Sequence, residues 1–186
     1  MTHFEFISVA VSIVLALSAT RLLAALPHVL APGRRYWIHA LWSLALLFAH
    51  MDFWWVIWVY REIEPWTFTD FAVVMLTPAL MFLTVNSLVS DSPSTIASWR
   101  THFYARHRVF FSLYFALVCT IPLRQLIVLG DTSAPHVEGL PAFAVASLML
   151  VGLAIPVLGI ITANERAHAF FVLWSAGGIF FNIARL

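Results

Sequence analysis

The chain contains no lysine. Its ten basic residues are all arginine, which excludes a retinal Schiff base and any lysine nucleophile. Cysteine occurs once, at Cys119 inside an apolar run, so one chain cannot build a disulfide framework, a thiol relay or a cysteine-rich zinc site. Charge is scarce: 10% of residues are charged, against about 25% in an ordinary soluble domain. A net charge of +1, with no basic tail or stripe, gives nucleic acid nothing to bind. His-Glu-x-x-His, Gly-x-Ser-x-Gly, P-loop and histidine-box patterns are missing too, which makes an enzyme the least supported class.

Apolar sequence is what the chain has in quantity. Its 186 residues are 62% hydrophobic, with a mean hydropathy of +0.91. Runs long enough to cross a bilayer predict an all-α polytopic bundle, one transmembrane domain over 1–186 with spans at about 4–26, 38–60, 71–89, 109–129, 140–162 and 167–184. No Arg or Lys precedes the first run, so Leu17-Ser18-Ala19 reads as part of a retained helix and not as a cleavage site. Ser8, Ser12, Ala16 and Thr20 recur every four residues, a small-residue stripe that lets another helix approach closely. Pro78, Pro122 and Pro156 each free a helix carbonyl for a neighbour or water. Gly152 and Gly159 flank the last of these in a flexible or closely packed stretch.

Between the third and fourth spans, Asp91 or Ser92 can cap a helix with Pro93 in its first turn. Ile96, Trp99, Phe103 and Phe110 then follow at helical spacing. This predicts a short interfacial helix over about 93–107, with Trp99, Arg100, Arg106 and Arg108 at the lipid interface. Orientation follows from arginine. Arg34, Arg35, Arg100, Arg106, Arg108 and Arg166 share one side; Arg61 and Arg185 lie on the other with Glu5, Glu62, Glu64, Asp70, Asp131 and Glu138. The first side is therefore expected to be cytoplasmic, with both termini on the non-cytoplasmic side. Basicity carried by arginine alone points to a GC-rich bacterial genome, hence to the bacterial inner membrane.

The charged residues within the spans are the functional candidates. A carboxylate at mid-membrane costs at least about 2.5–3.5 kcal/mol, so Asp52 must face protein, water or a counter-charge. Counted along the expected spans, Arg124 lies within about one turn of it in height, which predicts an Asp52–Arg124 pair. His50 is two residues from Asp52, about 200° around the helix, so both cannot face one cavity and one of them has a different task. Arg21 and Asn86 complete the polar set. His39, His50 and His168 are the histidines that could ligate haem or chlorophyll, and His39, His107 and His168 gather near one end of three helices. No two spans each offer a histidine at mid-depth, so neither a cofactor nor a metal site is expected. The reading that results is a small transporter or channel whose buried Asp/Arg pair handles protons, ions or a small solute. The alternative is a non-catalytic subunit of a larger membrane complex, one able to bind haem or chlorophyll through intramembrane histidines; either reading has the lipid bilayer and further copies or other membrane subunits as partners.

Overall fold

The computed structural model describes residues 2–130 and 142–183. The polar turn after Gly130 with Asp131 and Glu138, the first residues expected in the fifth span, Ala184, Arg185 and the side chain of Asn182 lie outside the described residues. Six α-helices account for nearly all of the rest: α1 (His3–Val29), α2 (Trp37–Val56), α3 (Phe68–Leu88), α4 (Trp99–Ile127), α5 (Ala142–Ile161) and α6 (Glu165–Ile183). Four of them are long and apolar enough to cross a membrane, namely α1, α2 with the 3-10 turn Ile57–Glu62 that extends it, α3 and α4.

Local chemistry sets the helix starts. Thr2 caps α1 by accepting from the Glu5 amide at 3.1 Å, while the Glu5 carboxylate accepts from the Thr2 amide at 2.9 Å. Thr67 and Asp70 repeat this reciprocal arrangement at α3. Each box satisfies two amides that the first helical turn leaves without partners. Ser98 caps α4 alone.

The helices close a ring in the order α1, α3, α4, α5, α6, α2, and α2 also reaches across to α3 and α4. Two apolar clusters fill it. Near the end where α1 gives way to α2, Leu22, Val29, Trp42, Leu88, Trp99, Phe103, Phe110, Phe111 and Phe171 pack together. Toward the other end the cluster is Ile7, Val11, Leu15, Phe53, Ile57, Tyr60, Val74, Met81, Leu117 and Val128. Tyr114 touches both. Close packing in α5 falls on one glycine: a methyl group on Gly159 would lie 2.5 Å from the Phe111 ring of α4, whereas Gly152 faces open space.

Three features differ from the expectations. No separate interfacial helix occupies 93–107: Pro93–Thr95 is one 3-10 turn, and α4 runs unbroken for 29 residues from Trp99. Trp99 and Phe103 do not face outward from the bundle, because both are buried in the core, with Trp99 donating from Nε1 to the His28 carbonyl at 2.9 Å. The small-residue stripe of α1 is not the helix's buried face. The buried face of α1 is Ile7, Val11, Leu15, Ser18, Leu22, Ala25 and Val29, and the stripe opens instead onto a groove.

Candidate functional site

Arg124, on the last turn of α4, is the one buried arginine among the described residues, at 8% exposure. Its Nη1 donates to the Tyr60 hydroxyl at 2.9 Å, its Nε donates to the Thr120 carbonyl at 3.3 Å, and its guanidinium stacks 4.8 Å from the Phe53 ring centre. Tyr60 stands on the 3-10 turn after α2, with the Trp66 ring edge-on at 6.3 Å. Below this group, Thr77 beside Pro78 donates to Thr120 at 3.0 Å, and Thr120 donates to the Leu117 carbonyl at 2.7 Å.

The expected Asp52–Arg124 pair is not among the ion pairs of the described residues. Two physical reasons account for this. Because α4 starts at Trp99, its midpoint is residue 113, and Arg124 lies eleven residues beyond it, about 16 Å along the axis instead of the 7–8 Å expected from a span starting at Val109. Arg124 is therefore level with Tyr60. In addition, the face of α2 turned to the interior carries Phe53, Ile57 and Tyr60, and Asp52 lies about 100° off it, half-buried.

His50 is hydrogen-bonded through both ring nitrogens. Its Nδ1 meets the Leu46 carbonyl at 2.6 Å and its Nε2 meets the Ser18 hydroxyl at 2.8 Å. A carbonyl only accepts, so Nδ1 carries the proton and Ser18 donates to the Nε2 lone pair. Ser18 escapes a search of the sequence for polar stripes, since it is the single polar residue on the buried face of α1; its match in depth to His50 was the available signal. Asn86 is half-buried, and its Oδ1 has no hydrogen-bond partner among the described residues.

A second polar group collects where α2, α4 and α6 meet. His39 is fully buried, stacked at 4.6 Å on Trp99 and edge-on at 6.0 Å to His102, and neither ring nitrogen has a hydrogen-bond partner among the described residues. His168 donates from Nε2 to the Thr162 carbonyl, 2.9 Å away, and meets His107 at 5.7 Å between rings. His39 and His168 each touch Phe103 edge-on. His39, His50 and His168 do not converge: His39 and His50 are eleven residues apart on one helix, about 16 Å, and His50 is turned toward α1. Among the described residues no three His, Cys, Asp or Glu side chains are placed to hold a metal.

Arg21, Arg34 and Arg100 make their contacts at this same end of the ring. Arg21 pairs with Asp91, and that guanidinium, through its hydrogen bond first and its charge second, holds the Asp91 carboxyl below the ordinary carboxylate range. Arg34 ties the 94–96 backbone to the end of α1, donating to the Ser94 carbonyl at 2.8 Å. Arg100 donates to Glu165 at 3.0 Å, bridging α4 to α6, while Arg106 and Arg108 are exposed.

An apolar groove of about 840 Å³ opens between α1 and α2. One wall is Ser8, Ser12 and Ala16, and the other is Trp54, Trp55 and Trp58, each tryptophan more than half exposed. Ser8 and Ser12 donate to carbonyls of α1 itself, so the small wall makes no hydrogen-bonding demand on an occupant. Compared with known protein families, curated proteins and solved structures, the chain matches none.

Proposed function

We propose that this chain is a small membrane transporter or channel whose polar centre is Arg124 with Tyr60, in place of an Asp52–Arg124 pair. The observation that supports it is a guanidinium buried among apolar side chains and held by a neutral hydroxyl and a carbonyl, with no acidic partner among the described residues. A charge kept in such a place costs stability unless it serves a passing or bound counter-charge. The 3-10 turn carrying Tyr60 and the prolines Pro78 and Pro122 give the surrounding helices places to bend. In this reading all six helices span a bacterial inner membrane, the arginine-rich end is cytoplasmic, both termini are outside, and no cofactor is required.

The test is ion and solute flux in proteoliposomes. The reading requires flux from the native chain that falls at least about tenfold in Arg124→Gln, equivalent to roughly 1.4 kcal/mol at the limiting step. A folded native chain that passes no ion or solute would remove it. One observation favours the second reading, a non-catalytic subunit of a larger assembly: the open groove between α1 and α2, smooth on one wall and tryptophan-lined on the other. That reading expects further copies or other membrane subunits to stay bound through mild detergent extraction, and Ser12→Phe to release them.

A further inference from the structure

A guanidinium has five N–H donors in a planar fork and no acceptor. Arg124 uses two of them, toward Thr120 and Tyr60, and the remaining three have no acceptor among the described residues. The Tyr60 hydroxyl accepts from Arg124, so its own proton is left to donate elsewhere. Beside it the Trp66 indole Nε1–H is buried and has no acceptor among the described residues. Three neighbouring side chains thus present donors, and among the described residues Glu62 is engaged with Arg61, Glu64 with His3, and Asp70 with Thr67. The walls are apolar, formed by Phe53 against the guanidinium and by Ile57, Leu117 and Val128 in the same cluster.

We propose that Arg124, Tyr60 and Trp66 form a binding site for the carboxylate of a molecule with an apolar body. A donor set without acceptors repels cations and leaves amides half-satisfied, whereas a carboxylate brings acceptors only. Its two coplanar oxygens match the guanidinium fork, which a single-point halide does not. Phe53, Ile57 and Leu117 then take the apolar remainder out of water. This deepens the assignment of Arg124 as the polar centre, and it does not require that the ligand be transported.

The experiment is equilibrium binding of radiolabelled benzoate to the full chain in nanodiscs of zwitterionic lipid, with benzamide as the uncharged isostere and oleate doped into the bilayer as the lipid-borne carboxylate. Benzoate or oleate is expected to bind saturably and benzamide not. Arg124→Lys keeps the charge but loses the fork and is expected to weaken binding about ten- to a hundredfold. Trp66→Phe keeps the ring that packs on Tyr60 and is expected to weaken binding by a smaller factor. Tighter benzoate identifies an aqueous solute, and oleate alone identifies a bilayer lipid. If the folded native chain binds neither, if benzamide binds as well as benzoate, or if both variants bind like the native chain, the proposal is overturned. Binding without flux would keep this site and remove the transporter reading; flux with no carboxylate binding would do the reverse.

Discussion

The hydrogen bond between Ser18 and His50 offers the cleanest energetic test of how α1 is held to α2. Both side chains are buried, at 0% and 4% exposure, and the imidazole is fully committed, with Nδ1–H to Leu46 and the Nε2 lone pair to Ser18. Ser18→Ala strands that lone pair with no water to replace the hydroxyl, and a buried acceptor left alone costs about 1–3 kcal/mol. Within a membrane the unfolded reference state also finds partners, and measured couplings average about 0.6 kcal/mol with a ceiling near 1.7. The expected cost of Ser18→Ala is therefore about 1 kcal/mol. In a His50→Leu background, with no lone pair to strand, the same substitution should cost nearly nothing. A double-mutant cycle on reversible unfolding in mixed micelles reads the coupling directly. Additive substitutions, with coupling indistinguishable from zero, would refute both the bond and the tautomer deduced from it.

Other outcomes follow from the same reasoning. His39→Phe keeps the stacking on Trp99 and removes two buried nitrogens that lack partners among the described residues, so its unfolding midpoint should hold or rise by the equivalent of about 1 kcal/mol; a clear fall would show that the imidazole has a partner. Gly159→Ala places a methyl group against Phe111 and should cost about 1–3 kcal/mol in thermal unfolding, while Gly152→Ala, in open space, should be neutral or slightly stabilising. The Arg21–Asp91 pair is exposed on its acidic side, so Arg21→Gln should leave the melting midpoint at neutral pH nearly unchanged. Because the folded state lowers the Asp91 value, whatever the pair contributes is present above the ordinary carboxylate range and is lost as pH falls through the folded value; a midpoint difference between native and Arg21→Gln that grows on acidification would contradict that sign.

Composition was enough to predict an all-helical chain with membrane-length apolar helices, because apolar runs of that length have few other uses. Buried face and boundary were harder to read. The run Ile96, Trp99, Phe103, Phe110 is helical in period, and period alone does not separate a helix lying on a bilayer from the first turns of one packed in a core. Here the arbiter was tertiary: the His28 carbonyl takes the Trp99 indole proton, and His39 covers its ring. Likewise the i, i+4 repeat of Ser8, Ser12 and Ala16 was legible as small, while the identity of its neighbour was not, because the tryptophans opposite belong to another helix.

The misplaced partner of Arg124 shows how one boundary propagates into function. Starting the fourth helix at Val109 puts Arg124 within a turn of Asp52 in height, and charge pairing then looks compulsory. Starting it at Trp99 carries the helix midpoint toward the core aromatics and leaves the guanidinium at the far end, where Tyr60 is the group within reach. A neutral phenol does not cancel a cation. Among the described residues the site therefore keeps a positive charge that an acid in the same place would have cancelled, and a buried positive charge beside Phe53 and Leu117 favours an apolar anion over a metal cation or a proton. Putting an acid at Tyr60's position tests that step. Tyr60→Glu supplies the missing carboxylate at hydrogen-bonding distance from Nη1; it should form an internal pair with Arg124 and abolish benzoate binding while leaving the fold intact. If Tyr60→Glu binds benzoate as the native chain does, Arg124 is not the group that holds it.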